Sequence, residues 1–181
     1  NDVELKSLLK KYNFEQKEIF KILDDLGGVY VDIDNAEKVL AELKGMNVLE
    51  SKSLRTKIVK ILTKVEHQDL VMITDTLQSA GFDEQDINEI IGKAGTILFH
   101  STQEKLEGII TALKDNQLPP AYVIKRCGEL FKQSSSHMIS SIADVLEDSG
   151  IGKNLILECT NLLVRNSSKE MREIINVLKE H

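Results

Sequence analysis

The chain has 181 residues, a formal net charge of −6 and only 4% aromatic side chains, with no Trp. This length suits one domain or one continuous repeat array, and the scarcity of aromatics argues against a sheet-rich fold. Two cysteines are too few for a disulfide framework, and no apolar run reaches the roughly 20 residues of a membrane helix. We therefore expect an all-α protein that spans no membrane and resides in a reducing compartment inside the cell.

In chain order, the apolar residues recur in a unit of about 33 residues. Residues 1–12 are predicted to form a capping helix or the end of a preceding unit. Five units are predicted to follow, at about 13–46, 47–80, 81–116, 117–149 and 150–181. Because no such unit can bury its apolar face alone, neighbouring units must stack, and the expected fold is an all-α helical-repeat superhelix, or α-solenoid.

Each unit is expected to contain a first helix, a short second helix and a longer third helix. Shifts of 33 and then 32 residues bring the apolar positions of the last three units into register. The predicted core columns are Ala94, Cys127 and Cys159; Ile97, Leu130 and Leu162; Leu98, Phe131 and Leu163; Leu106, Ile139 and Met171; Ile109, Ile142 and Ile174; and Leu113, Leu146 and Leu178. In the first unit, the same template places Val29 and Tyr30 in the core. Both cysteines are expected to be buried, one unit apart and too distant for a disulfide.

Polar residues mark the predicted starts of the third helices. Ser101 with Glu104, and Ser167 with Glu170, fit the capping box, in which each side chain satisfies a free backbone amide of the other residue. Gly81 is expected to end a helix, since glycine readily adopts the left-handed conformation that a helix C-terminus often needs.

The third unit resembles a known repeat. The residues that carry the resemblance are Gly81-Phe82, Asp86-Ile87, Ile90-Ile91, Ile97-Leu98, Ser101, Leu106 and Leu113. They are similar to the mTERF repeat, the unit of mitochondrial transcription termination factors, and this resemblance implies a nucleic-acid partner. A weaker similarity, through Phe14, Ile19, Ile22 and Gly27-Gly28, is to TAL-effector-like repeats. Generic helical repeats of the HEAT or armadillo type are the alternative.

One polar column precedes the third helices and is the first candidate for a binding surface. It comprises Asp32, Lys64, His100, Gln133 and Arg165. Basic residues are concentrated in the second and fifth units, which adds Lys60 and Arg172. The predicted nucleic-acid-binding residues are therefore Lys60, Lys64, His100, Arg165 and Arg172. Turn positions exposed simply to solvent would give the same column.

The sequence offers no catalytic constellation. Its histidines pair with no acid and nucleophile at a recognisable spacing, and no CxxC or Cys/His cluster indicates a metal site. We expect a non-enzymatic protein with no cofactor, no metal and no small-molecule substrate. Two partner classes stay open. DNA or RNA is slightly favoured by the resemblance, whereas the acid excess favours a protein partner and a role as an interaction scaffold or adaptor.

Overall fold

A computed structural model describes residues 1–180; His181, the last residue of the predicted fifth unit, lies outside the described residues. The described chain forms helices and no strand, which confirms the all-α prediction. The helices are α1 (Asp2–Lys11), α2 (Gln16–Leu26), α3 (Ile33–Gly45), α4 (Lys52–Thr56), α5 (Ile58–Lys64), α6 (His67–Ser79), α7 (Glu84–Gly92), α8 (Ile97–His100), α9 (Gln103–Asp115), α10 (Pro120–Arg126), α11 (Leu130–Gln133), α12 (Ser136–Asp148), α13 (Leu155–Glu158), α14 (Leu162–Arg165) and α15 (Ser168–Lys179).

Equivalent helices stack in rows along the array. The long helices α3, α6, α9, α12 and α15 contact one another in series, and the short helices α8, α11 and α14 do the same. From α4 onward, each long helix follows two shorter ones, so α4–α6, α7–α9, α10–α12 and α13–α15 are consecutive three-helix groups. This stacking is the helical-repeat architecture that the sequence predicts. The boundaries of the five units stay a prediction.

The predicted core columns are buried in the middle of the array. Leu98, Leu113, Leu130 and Leu146 are all buried, and Leu162 is half-buried against the same core. The long helices α6, α9 and α12 each pack between two neighbouring long helices, and the buried apolar residues form a single continuous core along the array.

At the N-terminal end the prediction for Val29 and Tyr30 is wrong. Tyr30 is 75% exposed, and Val31 is the buried residue of this segment at 1%. The reason is local, because Gly27 and Gly28 both adopt positive φ, at 54° and 84°, and end α2 in an open loop. No short second helix forms there, so the apolar pair that such a helix would bury points to solvent.

At the C-terminal end the predictions for Ile174, Leu178 and Cys159 are also wrong, since all three are exposed. No helix of residues 1–180 packs on the outer side of α15. Cys159 follows the last residue of α13 in an extended conformation, with φ −135° and ψ 78°. Cys127, its counterpart in the preceding group, is 2% exposed, and both cysteines are unpaired.

The caps follow the predicted chemistry with one shift in register. The capping box of Ser167 and Glu170 is present, which confirms that prediction. The box predicted for Ser101 and Glu104 is wrong, because Thr102 caps α9 instead and accepts a hydrogen bond from the Lys105 amide at 3.1 Å. Ser101 has an extended backbone and ends α8, so the cap of α9 falls on the next residue, one position later than predicted.

Candidate nucleic-acid interface

The predicted polar column lies at one structural position of the array. Lys64, His100, Gln133 and Arg165 are the last residues of α5, α8, α11 and α14, and all four side chains are exposed. Asp32 instead caps α3, where its carboxylate accepts from the Asn35 amide at 3.0 Å. We call the exposed residues of α5, α8, α11 and α14 the short-helix edge.

Charge is segregated between the two rows of helices. The four short helices carry Lys60, Lys64, His100, Lys132 and Arg165, and none of them contains an Asp or a Glu. The long helices α6, α9, α12 and α15 carry twice as many Asp and Glu residues as Lys and Arg residues. These helices are therefore basic within a net acidic protein, and basic side chains attract a phosphate backbone. One carboxylate borders them, since Glu129, directly before α11, accepts a hydrogen bond from Gln133 at 3.3 Å.

Lys60 connects two of the short helices. Its ammonium group lies 4.1 Å from the centre of the Phe99 ring, so a residue of α5 contacts a residue of α8 in the next group. This contact continues the edge towards α5, whereas stacking of α8, α11 and α14 forms the remainder. Within residues 1–180, neither Lys60, Lys64 nor Arg165 has a carboxylate partner within 4.0 Å. Their charges are therefore available to a ligand.

Other lysines hold successive three-helix groups together. The Lys57 ammonium donates to the Ala94 carbonyl at 2.7 Å, and the Lys93 ammonium donates to the Lys125 carbonyl at 2.7 Å. Both acceptors lie at or just beyond the C-terminus of the first helix in the following group, where backbone carbonyls have no partner within the helix. These lysines stabilise the stacking, and their ammonium groups are already engaged.

Lys125, on α10, also links its three-helix group to the preceding one. Its ammonium contacts the carboxylates of Asp86 and Glu89, and hydrogen bonds to these two groups raise the pKa of Lys125 above its ordinary value. The same lysine lowers the pKa of Glu89. Lys125 is consequently neutralised by α7 and does not add to the charge of the short-helix edge.

Arg172 lies elsewhere. It lines the groove between α12 and α15, beside Val145, Asp148, Ser149 and Asn176. The structure therefore brings Lys60, Lys64, His100 and Arg165 to the short-helix edge but leaves Arg172 in the row of long helices. A nearby carboxylate, Asp148, shares the groove with Arg172.

Two residues were missed by reasoning from the sequence. Lys132 is exposed on α11, and it directly precedes Gln133, so its position beside the polar column was the available signal. Tyr30 was assigned to the core but is exposed two residues before Asp32, the first member of that column. An exposed aromatic side chain offers a face on which a nucleobase can stack.

Two wide surface grooves are lined mainly by acidic charge. A groove of about 880 Å³ between α4 and α7 is lined by Asp83, Glu84 and Glu89, and one of about 890 Å³ between α9 and α12 is lined by Glu104 and Glu107. Their acidic side chains disfavour the approach of a phosphate backbone. Among residues 1–180, no helix is long and apolar enough to cross a membrane.

The stacked three-helix groups define a helical-repeat protein. The profile of the mTERF family matches residues 30–181, and the chain belongs to this family. The mTERF proteins are non-enzymatic helical-repeat proteins that bind nucleic acids, which confirms the expected family and the expectation that the chain is not an enzyme. No curated protein sequence and no solved structure gave a match to the chain.

Proposed function

We propose that this protein binds the phosphate backbone of DNA or RNA along the short-helix edge. The observation that carries the proposal is the absence of any carboxylate on α5, α8, α11 and α14 in a chain of net charge −6. The contacting side chains are Lys60, Lys64, His100, Lys132 and Arg165. Lysine and arginine that neutralise phosphates release condensed counterions, and this release is favourable at low salt.

The proposed contacts read the backbone and not the bases. A lysine or arginine that contacts phosphate fixes the orientation of the nucleic acid but carries no sequence information. The edge should therefore bind many sequences with similar affinity. Tyr30, exposed on the loop between α2 and α3, offers an aromatic face on which a base of a single strand can stack.

Arg172 has the weakest support among the residues proposed from the sequence. It is exposed, but it shares its groove with Asp148, whose charge opposes a nearby phosphate. We propose it as a peripheral contact only. Proteins of this family typically act in mitochondria or chloroplasts, so organellar DNA or RNA is the expected partner.

Lysine footprinting can test where the nucleic acid lies. The protein is acetylated with a lysine-specific reagent, with and without a saturating single-stranded or duplex probe at low salt, and each lysine is quantified by mass spectrometry. We expect protection of Lys60, Lys64 and Lys132, and no protection of Lys10 and Lys38, which are exposed on α1 and α3. Failure of every probe to bind would contradict the proposed function. Protection confined to Lys10 and Lys38 would contradict its location.

A further inference from the structure

Among residues 1–180, the exposed large apolar side chains lie at the two ends of the array. They are Val3, Phe20, Val29 and Tyr30 at one end, and Ile151, Ile174, Val177 and Leu178 at the other. Ile174, Val177 and Leu178 share one face of α15, because they are three and four residues apart. We call these three residues the α15 stripe; their exposed fractions are 46%, 56% and 69%.

The same face is covered in the two preceding long helices. The equivalent residues are Ile109, Ala112 and Leu113 on α9, and Ile142, Val145 and Leu146 on α12, and all six are buried. The next long helix packs on each of them, α12 on α9 and α15 on α12, and Ala112 and Val145 line the grooves between these helix pairs. The α15 stripe therefore has the geometry of a surface on which a helix packs, and no helix of the described chain occupies it.

The residues around the α15 stripe differ in charge from those at the equivalent positions of α9 and α12. Glu170, four residues before Ile174, continues the face of the stripe one turn earlier, and Glu173, one residue before Ile174, lies on its flank. The two positions equivalent to Glu173 are Gly108 on α9 and Ser141 on α12. Small side chains there permit a close approach, and Gly108 indeed lies against Ser136 of α12. A third long helix packed in the same way would cover the Glu173 carboxylate, and burial of an unpaired charge is costly.

We propose that the α15 stripe docks an amphipathic helix of a separate protein, whose apolar stripe is bordered on one side by Lys or Arg. The basic border would face Glu170, Glu173 and Glu180, which are all exposed. Apolar contact supplies the affinity in this mode of recognition, and the opposite charges fix the orientation of the incoming helix.

A second copy of this chain fits the stripe less well. Two α15 helices that pack antiparallel about a two-fold axis present the same flank on the same side. The Glu173 carboxylate of one copy would then lie along the acidic border of the other copy. Like charges placed in this way oppose the pairing.

The test uses two synthetic helical peptides of about 20 residues, long enough for five turns. Both carry leucines at the spacing of the α15 stripe; one has Lys along one border and the other has Glu at the same positions. Binding to the full chain is measured by fluorescence anisotropy. We expect the Lys peptide to bind at least about tenfold more tightly than the Glu peptide, a difference of about 1.4 kcal/mol.

Three variants locate the binding. Val177→Ser with Leu178→Ser should weaken the Lys peptide about tenfold or more, and Glu173→Lys should reduce its advantage over the Glu peptide. Val3→Ser removes a valine that is 82% exposed at the other end of the array and should leave the affinity for both peptides unchanged. Equal binding of the two peptides, no binding of either, or insensitivity to the double variant would overturn the proposal. Self-association in sedimentation that the double variant abolishes would also overturn it, because a second copy would then cover the stripe.

Discussion

The ammonium group of Lys60 lies over the ring of Phe99, 4.1 Å from its centre, and this contact joins two successive three-helix groups. A cation over an aromatic face contributes about 0.5–1 kcal/mol at an exposed site. Phe99 is half-buried, so it serves both the core and the short-helix edge. Lys60 is consequently held beside α8 before any ligand arrives.

The Lys60–Phe99 pair should show measurable coupling. In a double-mutant cycle of Lys60→Ala and Phe99→Leu, we expect a coupling of about 0.5–1 kcal/mol in the free energy of unfolding. Leucine keeps most of the apolar contact of Phe99 with the core, so the cycle isolates the cation–ring interaction. Urea denaturation of the four proteins provides the measurement. Strictly additive effects would show that the contact contributes nothing in solution.

Leucines at equivalent positions should differ sharply in their contribution to stability. Leu113→Ala and Leu146→Ala remove fully buried side chains, and each should lower the free energy of unfolding by about 2–5 kcal/mol. Leu178→Ala removes an exposed side chain from the same column and should change the free energy of unfolding by less than about 0.5 kcal/mol. Equal losses at Leu146 and Leu178 in urea denaturation would mean that α15 is covered in the isolated chain.

The two cysteines should differ in reactivity. Cys159 is exposed, whereas burial raises the pKa of the Cys127 thiol to about 11. Because the thiolate is the reactive form, a disulfide reagent at pH 8 should modify Cys159 rapidly and Cys127 only after denaturation. Two equally fast thiols in the native protein would contradict the burial of Cys127. A Cys159→Ala variant assigns the fast phase.

The raised pKa of Cys127 also implies a dependence of stability on pH. The native state holds the thiol proton more tightly than the unfolded state, so this contribution is fully present below the ordinary thiol pKa of about 8.5. It declines as the pH rises from there towards about 11, since the unfolded chain releases the proton first. Cys127→Ala should show a smaller decline than the parent protein in urea titrations across this range.

The sequence predicts the middle of the array better than its ends. Columns such as Leu98 and Leu130 are set by a neighbour on each side, and their apolar periodicity therefore indicates burial correctly. Leu178 carries the same pattern, but its burial depends on a neighbouring helix that residues 1–180 do not supply. Tyr30 fails for a different reason, because Gly27 and Gly28 replace a short helix by a loop whose path a periodic template does not contain.

The candidate interface was predictable in position but not in composition. The column that contains Lys64 and Arg165 follows from the register of the repeat, since both residues come directly before a turn. Whether a lysine is available for a ligand does not follow from register. Lys57 lies on the same part of the chain as Lys60, yet its ammonium group is bound to the Ala94 carbonyl of the next group. Such contacts depend on how the groups stack.

The salt dependence of nucleic-acid binding tests the central claim most directly. Each phosphate contact contributes a slope of about −0.9 to the plot of log affinity against log salt on duplex DNA, and about −0.7 on a single strand. Lys64→Ala with Arg165→Ala should flatten that slope by up to about two units and weaken all sequences alike.

The control is Lys10→Ala with Lys38→Ala, which removes the same charge from exposed sites away from the short-helix edge. The control should retain the slope of the parent protein. Equal slopes for the parent protein, the control and the Lys64 and Arg165 variant would contradict the assignment of the interface to the short-helix edge.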